Sequence, residues 1–132
     1  MKNIDWSKLS FNYTETKALV YSRCIDGKWE SPVVTEDFNI ALNSFAGIFH
    51  YAPSCFEGLK AFRGVDGKIR LFRPDCNARR MASSAKYLDM PYPSEELLIE
   101  MCVRCIKENI EYLPPYEVTG TSLYLRPVLF GI

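Results

Sequence analysis

The spacing of apolar and polar positions changes period twice along this chain. Lys17 to Phe72 reads as strands, Pro74 to Pro115 as helices, and Thr121 to Phe130 as strand again. Lys17 to Cys24 is an apolar, β-prone run. Asp26-Gly27 is a hairpin turn signal, and Trp29 to Thr35 is the returning segment. Pro32 marks that segment as an edge or irregular strand, because proline has no N–H to give a ladder. Ser44 to Tyr51 fits either a short helix or an extended passage. Leu59–Arg63 and Lys68–Phe72 flank Val65-Asp66-Gly67, and Asp-Gly between two such runs is a strong hairpin signal.

Pro74 suits the first position of a helix, where a missing N–H costs nothing. Ala78, Met81, Ala85 and Leu88 then recur at helical spacing, with Pro91 and Pro93 expected to end the helix. Ser94 is placed to cap a second helix, with Glu95 and Glu96 favourably set against its dipole. Leu97, Leu98, Met101, Cys102, Cys105 and Ile106 form that helix's apolar stripe, and Pro114-Pro115 is expected to stop it. Thr121 to Phe130 is expected to be one strong strand. Strands with two helices between them predict an α+β fold: a mostly antiparallel sheet with two main helices packed on one face, in one domain over residues 1–132.

Composition leaves this picture intact and narrows the function. The chain has 132 residues, 48% hydrophobic and 24% charged, an ordinary balance for a globular domain. Sixteen basic residues match sixteen acidic ones. That balance predicts no nucleic-acid partner and no attraction to an anionic membrane. No apolar run approaches the ~20 residues of a membrane span. MKNIDWSKLSF lacks the apolar segment of a secretory signal, and the five cysteines have no framework-like spacing, so reduced thiols and a cytoplasmic location are expected. There is no glycine-rich phosphate loop, H-E-x-x-H or G-x-S-x-G, and His50 is the single histidine.

Candidate chemistry lies in a few arginines and aromatics. Arg80 can grip a phosphate through two parallel N–H donors, although the residues alone favour a solvated helix arginine. Tyr124 and Arg126, two apart on a strand, share a face. Lys60 lies in an aromatic setting that would suit a Schiff-base lysine. Cys102 and Cys105 form a C-x-x-C, but within a helix's apolar stripe, where cysteine acts as a small hydrophobe.

Three segments carry a resemblance: HYAPSCFEGLKAFRG (50–64), RLFRPDCNARRM (70–81) and GTSLYLRPVLFG (120–131). Together they resemble the small N-terminal domain of a branched-chain amino-acid aminotransferase, an enzyme of fold type IV that uses pyridoxal 5'-phosphate (PLP). The resemblance implies that Arg80, just before Met81, binds the cofactor phosphate. It implies that Phe56 of the F-E-G motif walls the substrate pocket, with Tyr124 lining it and Arg126 meeting the distal carboxylate of glutamate. Tyr51 would reach a neighbouring subunit's pocket, which implies a homodimer. Tyr13, in NYTET, would be a further aromatic wall. Glu57 is read as structural, and Gly58 as permitting a close backbone approach or a bulge.

The partners so implied are small-molecule amino acids and 2-oxo acids: amino transfer between leucine, isoleucine or valine and 2-oxoglutarate. The resemblance places the cofactor lysine beyond residue 132, in a large C-terminal domain. Lys60 is therefore given at most a supporting role, and the 132 residues alone are expected to be inactive. The alternatives are another fold type IV enzyme, namely a D-amino-acid aminotransferase or an aminodeoxychorismate lyase, or a non-catalytic binding domain.

Overall fold

The computed structural model describes residues 4–8 and 14–132. The first hairpin forms around Asp26-Gly27, both left-handed (φ 50° and 77°), as the turn signal requires. It is made of two ladders. Strand β1 (Leu19–Tyr21) pairs with β4 (Val33–Thr35), and β2 (Cys24–Ile25) pairs with β3 (Lys28–Trp29). Between the ladders Glu30, Ser31 and Pro32 face only Ser22 and Arg23, so the irregularity expected at Pro32 is a one-residue register shift. Residues 44–51, open in the sequence, contain a single helical turn, α1 (Gly47–His50).

Strand β5 (Ser54–Phe56) leads into β6 (Leu59–Arg63), which returns through Val65-Asp66-Gly67 as β7 (Ile69–Leu71). Gly67 closes that loop in the left-handed region, φ 73°. The C-terminal segment is two strands, where the sequence predicted one. β8 (Leu123–Leu125) pairs with β6, and β9 (Val128–Phe130) pairs with β5. Proline explains the break: Pro127 has no N–H to donate. Its carbonyl accepts from Glu57 N–H at 2.9 Å, which carries the same register across the gap. Glu57-Gly58 therefore faces Arg126-Pro127 in one antiparallel ribbon. The three-stranded order is β7-β6-β8.

Helix α2 (Pro74–Tyr87) starts at Pro74 as predicted but ends before Pro91 and Pro93. Asp89 turns left-handed (φ 53°), and Met90 N–H bonds Ala85 O while Asp89 N–H bonds Lys86 O. This closing motif satisfies the last carbonyls, so the helix stops without the prolines. In α3 (Glu95–Glu108) the cap is as expected: Leu97 N–H donates to Ser94 Oγ at 3.1 Å. Asn109 ends the helix, ahead of Pro114-Pro115. The Asn109 side chain is buried and accepts from the N–H groups of Lys17 and Ala18 (2.9 and 3.0 Å). It also donates to Ala18 O and Cys105 O, both at 2.8 Å, which ties the chain entering β1 to the end of α3.

Both helices cover one face of the ribbon, as the α+β reading required. Cys102 and Ile106 of α3 and Leu113 pack on Leu59, Ala61 and Leu125. Ala78 and Met81 of α2, with Leu98, pack on Cys55 and Leu129. Odd-numbered ribbon positions face this core and even-numbered ones face away, the period-two alternation of a half-buried sheet. Burying a side chain such as Leu98 or Ile106 contributes roughly 1.5–3 kcal/mol.

Candidate functional site

The face turned away from the helices gathers three of the predicted residues. Phe56, Tyr124 and Arg126 occupy even-numbered positions of the paired strands. The Arg126 guanidinium carbon lies 5.1 Å from the Phe56 ring centre and 5.4 Å from that of Tyr124. Its Nη2 is 3.5 Å from the Tyr124 hydroxyl, at the limit of a hydrogen bond. Among the described residues Arg126 has no carboxylate partner. Phe56 and Tyr124 are 61% and 45% exposed, large apolar rings uncovered by this domain's own core. The arrangement offers a flat apolar wall with one cation held on it by ring quadrupoles, worth about 0.5–1 kcal/mol per contact at an exposed site.

Gly58 makes this packing possible. A Cβ there would come 2.5 Å from the Tyr124 hydroxyl and 3.2 Å from its Cζ. The close approach read from the F-E-G motif is therefore the approach of the Tyr124 ring. Lys60 sits directly opposite Tyr124 in the ladder and shares the exposed face.

Arg80 lies elsewhere. It belongs to α2, beneath the opposite face of the ribbon, and is held by Glu57. Nε donates to Oε1 at 2.7 Å and Nη2 to Oε2 at 2.6 Å, a fork-on-fork pair. Asn77 Nδ2 adds a third donor to Oε2 at 2.8 Å and reaches Gly58 O at 3.3 Å. Glu57 is only 3% exposed, while the Arg80 side chain is 68% exposed. The Arg80 hydrogen bonds pull the Glu57 carboxyl below its ordinary range, outweighing burial, which pushes it up. The same pairing raises Arg80. Nη1 of Arg80 has no protein acceptor among the described residues, so the guanidinium still presents donors outward.

The other candidates stand apart. Tyr51, just after α1, is 88% exposed and neighbours His50 at 6.3 Å between ring centres; its ring is not among the contacts of Arg126. Tyr13 lies outside the described residues. Cys102 is buried, its thiol pushed up to about 11 by desolvation, and Cys105 is raised by the same cause; neither is a ready thiolate. No His/Cys/Asp/Glu group suited to a metal occurs among the described residues. Grooves of about 350 Å³ beside Phe62 and about 360 Å³ between α2 and Pro93 contain none of the predicted site residues.

Sequence reasoning missed the Glu57–Asn77–Arg80 network. A signal was present. Phe56 outward puts Glu57 inward by alternation, and an inward carboxylate needs a partner. Asn77 and Arg80, three apart on the next helix, share a face.

Fold and site together define an α+β domain that displays arginine in two settings. One guanidinium rests against two aromatic rings, and the other is gripped by a buried carboxylate. By sequence, the chain is similar along its whole length to branched-chain-amino-acid aminotransferases. It is 42% identical to the branched-chain-amino-acid aminotransferase of Haemophilus influenzae over 132 residues, 100% of this chain and 38% of that protein. It is 39% identical to that of Helicobacter pylori over the same span, again 38% of the relative. The mitochondrial branched-chain-amino-acid aminotransferase 1 of Arabidopsis thaliana is 39% identical over 130 residues, 33% of its length. The chain thus spans well under half the length of these relatives. No family profile matches it.

Proposed function

We propose that these 132 residues form one wall of a PLP-dependent branched-chain aminotransferase, and that the cofactor lysine and the opposite wall lie in sequence beyond them. The observation that carries this reading is the meeting of Phe56, Tyr124 and Arg126 on one exposed face, in a chain with these relatives. When bound, PLP supplies the electron sink for amino transfer. The donor set suits its phosphate: Arg80 is permanently charged, largely exposed, and keeps Nη1 unclaimed by protein acceptors among the described residues. Arg80 would hold the phosphate. Phe56 and Tyr124 would line the side-chain pocket, apolar enough for leucine, isoleucine or valine. Arg126 would meet the distal carboxylate when glutamate or 2-oxoglutarate occupies the same space. Tyr51, so exposed here, would close the pocket of a partner subunit in a homodimer.

Location in the cytoplasm fits five free cysteines, and no described helix is long and apolar enough to cross a membrane. Methionine is a second substrate favoured by a specific observation. A methionine aminotransferase of Arabidopsis thaliana is 35% identical over 130 residues, and methionine is close to leucine in size and polarity.

The test is amino transfer from leucine to 2-oxoglutarate by the whole gene product. The expected result is turnover that needs PLP, with isoleucine and valine discriminated by no more than about 200-fold, since one methylene is worth about 1–3 kcal/mol. Absence of transfer from all branched-chain donors, in a folded product that retains PLP, would overturn the reading.

A further inference from the structure

We propose that Glu57 is the positioning residue for Arg80: a buried carboxylate that fixes the guanidinium so that its outer N–H edge meets the cofactor phosphate. This rests on the reading of Arg80 as the phosphate ligand.

Three observations converge on it. Both oxygens of Glu57 are committed, Oε1 to Nε of Arg80 and Oε2 to Nη2 and to Asn77. The Arg80 fork is therefore held in plane and in azimuth, whereas an arginine at a mostly exposed helix position otherwise samples many rotamers. The backbone that carries the carboxylate is anchored as well, because Glu57 N–H donates to Pro127 O at the break in the ribbon. Asn77 adds a second tie, binding both the carboxylate and Gly58 O. Finally, stability alone is a weak reason for such a pair. The Arg80 side of the pair is mostly solvated, and an ion pair open to water contributes little net stability, so its return lies in geometry.

The sign of the effect follows from exposure. A carboxylate behind the guanidinium repels a phosphate in front of it. That repulsion crosses a site open to water and is screened. Loss of the fixed orientation is not screened, so it dominates, and removing the charge of Glu57 weakens phosphate binding. Phe56 precedes Glu57 and points to the other face. One two-residue segment therefore sets both the phosphate arginine and the aromatic wall.

The experiment is a PLP titration of the cofactor-free whole gene product, with inorganic phosphate as competitor, on wild type, Glu57→Gln, Arg80→Ala and the double variant. The expected result is a weakening of roughly tenfold for Glu57→Gln, the low end for losing an outer partner of a ligand-binding group. No further weakening is expected from Glu57→Gln once Arg80 is alanine. Inorganic phosphate should lose competing strength in the same order. Glu57→Asp, which keeps the charge, should lie between wild type and Glu57→Gln and serves if the glutamine variant does not fold. If Arg80→Ala leaves PLP affinity unchanged, the phosphate role of Arg80 falls and this proposal with it. If Arg80→Ala weakens binding while Glu57→Gln only lowers the thermal midpoint, or acts equally without Arg80, the proposal falls and the role of Arg80 stands.

Discussion

If Arg126 meets the distal carboxylate as proposed, replacing it with methionine should separate the two half-reactions of the whole gene product. Methionine keeps the apolar stem that rests on Phe56 and Tyr124, and removes the charge and every donor. Two things are lost. The first is a pair of ring contacts at 5.1 and 5.4 Å, together about 1–2 kcal/mol of local order. The second is the charged hydrogen bonding to a distal carboxylate, about 1.5–3 kcal/mol. The first loss falls on every substrate alike, and methionine's own packing offsets part of it. The second falls only on glutamate and 2-oxoglutarate, and converts to roughly a 10- to 150-fold drop in kcat/KM for the dicarboxylate. Leucine should change by no more than about threefold. Stopped-flow or steady-state kinetics of each half-reaction, with donor and acceptor varied separately, gives the two ratios. An equal fall for leucine and glutamate would make Arg126 a general support of the wall and not a carboxylate receptor.

Three other perturbations probe the scaffold. Gly58→Ala should drive the Tyr124 ring from its seat, because the added Cβ has 2.5 Å to a hydroxyl that needs more than 3 Å. Leucine KM should rise with the thermal midpoint nearly unchanged, and a wild-type KM would contradict that packing. Asn109→Ala removes the acceptor for the part-buried Lys17 N–H and the buried Ala18 N–H and should cost about 1–3 kcal/mol, read as a lower urea midpoint. An unchanged midpoint would mean that water replaces the amide. The depressed Glu57 pKa predicts acid sensitivity. Its stabilisation is complete above the ordinary carboxylate value of 4.5 and is lost as pH falls through the lower folded value, so the wild type should weaken below about pH 4.5. Glu57→Gln should flatten that limb, and identical pH profiles would show that other carboxylates set it.

Period and turn chemistry made most of this fold legible in the sequence. Ser94, the Asp26-Gly27 and Val65-Asp66-Gly67 turns, and the Leu98-Cys102-Ile106 stripe all reappear where local physics puts them. The errors have local causes too. Thr121 to Phe130 reads as one strand because apolar residues continue on both sides of Pro127, yet Pro127 withdraws one donor and splits the ladder. Helix α2 ends at Tyr87 because Asp89 accepts a left-handed turn, a conformation usually left to glycine. In the site, alternation alone brought Tyr124 and Arg126 to one face, whereas Phe56 joined them through a pairing far apart in sequence. The Glu57–Arg80 contact spans a hairpin and a helix start, so alternation marks Glu57 as inward without naming its partner.

The face bearing Phe56, Tyr124 and Arg126 is proposed to receive the substrate. A crystal structure of the whole gene product with PLP and glutarate, a dicarboxylate that cannot react, tests it most directly. One glutarate carboxylate should lie within hydrogen-bond reach of Arg126, about 2.7–2.9 Å, with its methylenes against Phe56 and Tyr124. Glutarate bound elsewhere, with Arg126 paired to a protein carboxylate and the two rings buried against apolar side chains, would contradict it.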